Sequence, residues 1–263
     1  KVSHHVYKRL FTAPLPMRIR RGVFLFCPRM PYNIYMSTTE LDQLMDQASE
    51  LLVKMQYLDA EKLCVQAMKL AHKQKLWGYL ARITLPLQEC RRQRRMIAAE
   101  GHIVLGTSHL GDAPLAVLSE LPSGCVVFTD NKAHEHAVHL MQNVRKNPRH
   151  LLVLYASANT KQWTLHSAIQ PIYTVTYPAP PSDWQNQTLA PSQWPDVTQS
   201  QWPTPGDWFL DVLEKLGDQA LKTVKAGADN VKRVDELITA LDAVTDHEIL
   251  HQQLAQAASN LVQ

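Results

Sequence analysis

Between Leu41 and Arg95 the apolar residues hold a helical phase, lose it, and regain it. Leu41, Leu44, Met45, Ala48, Leu51 and Leu52 fall on the i, i+3, i+4, i+7 stripe of an amphipathic helix. Ser37, Thr38 or Thr39 can cap it. Gln56-Tyr57-Leu58-Asp59 breaks the phase, and Ala60, Leu63, Cys64, Ala67, Met68 and Ala71 restart it. Two antiparallel helices joined by a short turn are the expected result.

The small residues of this stretch carry a resemblance. Ala48, Ala60 and Ala67 stand where paired helices need small side chains to approach, and Ala60-x3-Cys64 matches an Ala-x3-Phe element with a smaller partner. Leu44 stands at a position usually held by Trp, and Trp77-x2-Leu80-Ala81-x2-Thr84 opens a second unit 33 residues later. The stretch resembles a tetratricopeptide repeat, with one full unit and one partial unit. Pro86 is expected to interrupt the second unit's helix, and Cys90-Arg91-Arg92-Gln93-Arg94-Arg95 replaces its turn and small-residue helix. An ordinary helical hairpin within a mixed domain has the same phase pattern. The resemblance implies a binding or scaffold role, with a protein or peptide held by Leu44, Leu51, Tyr57, Trp77 and the arginines Arg91, Arg92, Arg94 and Arg95.

Beyond Gly101 the period becomes that of strands. Ile103-Val104-Leu105, Cys125-Val126-Val127-Phe128 and Leu151-Leu152-Val153-Leu154-Tyr155 are continuous apolar runs, the pattern of strands buried on both faces. Lys132–Arg145 between the last two has helical spacing, so a parallel crossover is expected. Tyr173–Tyr177 alternates like an edge strand between Pro171 and Pro178. Ligands of such sheets lie beyond the carboxyl ends of the strands. Thr107, Ser108, Asp130 and Asn131 are therefore the candidate ligand residues of a competing small-ligand or enzymatic reading. Neither phosphate-cradling glycine motif is present, and Asp130 and Asn131 can equally cap the following helix.

The remaining boundaries follow composition. Residues 1–35 hold seven of the 27 Lys and Arg and no acid, leaving 20 against 24 in the rest, so the body is mildly acidic. A general nucleic-acid surface is not expected on that balance. Residues 1–35 read as a poorly ordered extension or a start-site artefact, with Met36 a natural beginning. Residues 36–100 are the helical region, 101–178 a small three-layer α/β domain, and 179–206 a Pro- and Gln-rich linker or strap. Ser182-Asp183-Trp184, Ser192-Gln193-Trp194 and Ser200-Gln201-Trp202 give that segment more aromatic surface than a free linker carries. Residues 207–263 are helical, with Asp207 as N-cap and Gly227 as a stop. The fold class expected is mixed α/β, the C-terminal helices packing back on the first hairpin.

His247-Glu248-Ile249-Leu250-His251 is a literal zinc-peptidase spacing on an expected helix. Gln252–Gln263 offers no third ligand, and Thr245-x-x-Glu248 explains the glutamate as a capping box. His247 and His251 then become surface or boundary residues. His134-Glu135-His136-x2-His139 reads as a solvated helix face. No metal, cofactor or catalytic residue is assigned. Cys27, Cys64, Cys90 and Cys125 lie far apart without a C-x2-C pair, which fits a reducing cytoplasm. No run is long enough to span a membrane.

Overall fold

The computed structural model describes residues 32–262 apart from 112–113, 195–200 and 226–228, with side chains from Thr38 onward. Helix α1 spans Tyr32–Val53, α2 Tyr57–Lys73 and α3 Trp77–Ala99. The first helix thus begins ahead of Met36, inside the segment expected to be an extension, and the rest of that segment lies outside the described residues. Both turns are built alike. The amide of Gln56 donates to the Leu51 carbonyl and that of Met55 to Leu52, and Leu76 donates to Ala71 and Lys75 to His72. These are Schellman closures, with Met55 at φ 58° and Lys75 at φ 56° in the left-handed position usually given to glycine. Buried Ala48, Ala60, Ala67 and Ala71 let the helices close on one another.

Pro86 does not break α3. It lies buried within a continuous helix of 23 residues. A helix-interior proline costs about 3 kcal/mol; packing of α3 against α2, α8 and the sheet outweighs that penalty.

Among the described residues the sheet has six strands, in the order β5-β4-β3-β2-β1-β6. Strands β1 (His102–Leu105), β2 (Ser123–Phe128) and β3 (His150–Ala158) are parallel. Helices α4 (Pro114–Leu118) and α5 (Ala133–Lys146) connect them in turn. Strands β4 (Gln162–Ser167), β5 (Thr174–Pro178) and β6 (Thr188–Leu189) join antiparallel, so the sheet is mixed. Strand β4 was not expected, because its apolar residues are few and alternate with Gln162, Thr164 and His166. The two faces divide the core. Val104, Val126, Phe128, Leu151 and Val153 pack with α4 and α5, while Ile103, Leu105, Cys125, Val127, Leu152 and Leu154 pack with the helices on the other side. That second layer comes from α3 and α6 (Pro205–Thr223), which lie outside 101–178 in sequence.

Helices α7 (Asn230–Ala243) and α8 (Glu248–Ser259) pack together, and α8 lies along α3, so the C-terminus does return to the first helices. The segment after β5 is an ordered strap where it is described. It reaches the far edge of the sheet to form β6, with Trp184 and Trp202 buried. The Trp202 indole donates to Asp211 at 2.8 Å, and Trp163 and Trp208 meet edge to face at 5.7 Å.

Two expectations toward the C-terminus change. Thr204, not Asp207, is the N-cap of α6, accepting from the Asp207 amide at 3.1 Å while Asp207 bonds back to the Thr204 amide at 3.0 Å. The Thr245–Glu248 box does not form, because Thr245 bonds Asp246 and Arg94 instead. Gly227 lies outside the described residues. Among the described residues no helix is long and apolar enough to cross a membrane.

Candidate functional site

Arg91, Arg94 and Arg95 of the arginine run and His251 of the histidine motif meet in one largely buried network of ion pairs and hydrogen bonds. Helical spacing turns Arg91, Arg94 and Arg95 of α3 inward and leaves Arg92 exposed beside Glu89 at 2.9 Å. Arg91 Nε donates to Glu61 at 3.1 Å. Arg94 donates to Glu61 at 2.8 Å and to Asp246 and Thr245 at 2.7 Å. Arg95 reaches Glu214 and, at 3.2 Å, Glu248. Burial works against the charge of Arg94, but Asp246 and Glu61 win and raise its pKa. Burial likewise pushes Asp246 up, yet Arg94 and the Thr245 hydroxyl hold it below the ordinary carboxylate value. The expected positive patch is therefore internal, and it clamps α3 to α2, α6 and the entrance of α8.

His247 and His251 are buried rather than peripheral, at 2% and 0% exposure. His251 Nδ1 lies 2.9 Å from the His247 carbonyl oxygen and so carries the proton. Its Nε2 then accepts from Arg91 at 3.2 Å. Burial first, and the Arg91 charge second, lower its pKa to about 3. A lone pair occupied by a guanidinium does not suit a cation. His247 fits into a notch over Gly217, where an added Cβ would lie 2.1 Å from its ring. Among the described residues neither ring nitrogen finds a hydrogen-bond partner; Glu214 and Asp218 approach only to 3.5 and 3.6 Å. Burial lowers its pKa despite those carboxylates. Among the described residues no three His, Cys, Asp or Glu side chains could hold a metal together.

At the strand ends, part of the expected set converges. The Thr107 hydroxyl donates to Asp130 at 2.8 Å, the Lys132 amide donates to the same carboxylate at 2.8 Å, and His136 Nδ1 lies 3.1 Å from it. Burial raises the Asp130 pKa, but these hydrogen bonds outweigh it and hold the group below its ordinary value. Ser108 turns away to donate to Asn186 at 2.7 Å, and exposed Asn131 makes no hydrogen bond to the set. The His134–His139 run diverges. His136 goes to Asp130 and Phe128, whereas His134 packs on Tyr155, itself stacked on His166 at 4.6 Å.

A half-open groove of about 700 Å³ lies between the helical layer and the amino-terminal end of the sheet. Helix α2 presents Leu58, Lys62, Val65 and Lys69 to it, one stripe at helical spacing. The end of α5 supplies Met141, Val144, Arg145 and Lys146, and Arg149 enters ahead of β3. Arg91 and Arg94 form part of its wall. The expected partner-facing residues Leu44, Leu51, Tyr57 and Trp77 do not line it; all are half-buried, and Leu44 and Trp77 pack against the large core. The missed signal was the outward stripe of α2 together with Arg145-Lys146-x2-Arg149, each readable singly but not as neighbours.

No family model, curated protein or solved structure matches this chain.

Proposed function

We propose that this is a non-enzymatic interaction protein of the cytoplasm, similar to tetratricopeptide-repeat proteins in its first helices, that holds a protein or peptide partner in the groove beside α2. The groove carries the reading. It combines an aliphatic floor with an exposed polar rim, whereas Arg91, Arg94 and His251 are engaged by internal bonds and His247 is buried. Interface centres pair apolar floors with polar rims in the same way. The test is affinity enrichment from a lysate with the wild-type chain and with Leu58→Arg, which fills the groove from the first turn of α2. Polypeptides retained by the wild type and lost by the variant are expected; identical enrichment by two equally stable chains removes the reading.

The competing reading places a small ligand at the carboxyl ends of β1 and β2. The observation favouring it is the His136–Asp130 pair, whose geometry puts a proton on Nδ1 and orients the ring. His136→Gln and Asp130→Asn with unchanged behaviour toward every ligand found for the wild type would set it aside.

A further inference from the structure

We infer that the groove beside α2 takes an acidic peptide segment carrying aliphatic side chains, an inference that rests on reading the groove as a peptide site. Charge decides the class. The carboxylates Glu61 and Asp246 in its wall are spent on Arg91 and Arg94. Lys62, Lys69, Arg145, Lys146 and Arg149 remain, and among the described residues none of them forms an ion pair with a carboxylate. Arg145 instead donates to the Asp242 backbone carbonyl at 3.3 Å, and Arg149 to the Ser119 carbonyl, to Asn143 Oδ1 at 2.6 Å and to the Leu121 carbonyl at 3.3 Å. Among the described residues, Asp242 is the one further acid in the lining, against those five cations. Residues 36–263 as a whole carry more acid than base. Cations gathered at one concavity of an acidic body repel one another unless an anion joins them, and they steer anionic partners toward it.

The floor separates a peptide from a nucleic acid. Among the described residues the lining contains no aromatic side chain on which a base could stack. It offers instead Leu58, Val65, Met141, Val144, Leu152 and Ile169, surfaces complementary to Leu, Ile or Met. Lys62 and Lys69 come from α2 and Arg145 and Lys146 from the end of α5, so carboxylates flanking an aliphatic residue would meet cations of both elements.

The test is selection of a random peptide library on the full chain, followed by fluorescence anisotropy of the enriched peptides. Wild type is compared with Lys62→Glu/Lys69→Glu and with Arg145→Glu; these residues are exposed, and circular dichroism confirms folding. Enriched peptides rich in Asp or Glu beside Leu, Ile or Met are expected, with affinity falling at least tenfold in each variant and weakening with salt. Enriched neutral or basic peptides, or affinity unchanged by the charge reversals, overturns the acidic class while leaving peptide binding in place. No enrichment at all overturns both. A labelled oligouridylate binding as tightly as the peptides, and lost in the same variants, also overturns it, because the groove is then a general polyanion site.

Discussion

Arg94 of α3 donates to Asp246 at 2.7 Å, joining residues 152 positions apart at the entrance of α8. Both side chains are largely buried, at 15% and 7% exposure. Removing one partner of such a pair strands the other charge, which costs about 3–5 kcal/mol. Arg94→Ala is expected to lose about that much in urea unfolding, and Arg94→Lys to recover only part, because a lysine cannot span Glu61, Thr245 and Asp246 together. A loss under 1 kcal/mol would show that the network is solvated.

Acid sensitivity has its own sign. His251 titrates at about 3 when folded and near 6.5 when unfolded, so the unfolded chain binds the extra proton between those values. Stability from this group is complete above about pH 6.5 and falls below it, by at most about 1.4 kcal/mol per pH unit. Asp246, also held below its unfolded value, adds a loss only at lower pH, beneath the ordinary carboxylate range. His251→Gln is expected to flatten the dependence of stability between pH 6 and pH 4. An unchanged slope in the variant would assign the acid sensitivity elsewhere.

The two Schellman turns offer gains. Met55 and Lys75 hold left-handed backbone that costs a non-glycine residue roughly 1–2 kcal/mol, while glycine loses about 0.5–1 kcal/mol in unfolded-chain entropy. Met55→Gly and Lys75→Gly are each expected to be neutral or to stabilise by up to about 1 kcal/mol. Calorimetry reads the result as an unchanged or raised Tm; a clear fall in either variant contradicts the turn geometry.

Gly217 and His247 are coupled by shape. A methyl at residue 217 would meet the imidazole at 2.1 Å, so Gly217→Ala forces α6 and α8 apart. Overpacking of this kind costs about 1–3 kcal/mol. His247→Ala should remove most of the penalty, giving a favourable coupling of about 1 kcal/mol or more in a double-mutant cycle. Additive effects would mean that the ring moves aside freely.

Much of the architecture was legible because it rests on local periodicity. The helical stripes of Leu41–Leu52 and Ala60–Ala71, the apolar strands around Val104, Val126 and Val153, and the helix between β2 and β3 all appear where the spacing of apolar residues puts them. The strap was legible through its tryptophans. Strand β4 and the continuity of α3 through Pro86 were not, since both depend on what neighbouring elements contribute. The candidate site was legible only in part: Thr107 and Asp130 do meet, but the groove is assembled from α2, α5 and the start of β3, and nothing in one segment marks the others.

The same limit applies to the charged motifs. By itself the sequence determined that four arginines crowd into Arg91–Arg95, and that His247 and His251 are spaced to stand one helical turn apart. Which way each face points was decided by tertiary packing. Once α8 lay along α3, the arginines were buried against Glu61, Asp246 and Glu248, and His251 was turned to Arg91. The inward charges of such a run acquire partners only when distant segments meet, and burial then fixes which charges are spent within the protein and which, like Lys62 and Lys69, stay exposed beside the groove.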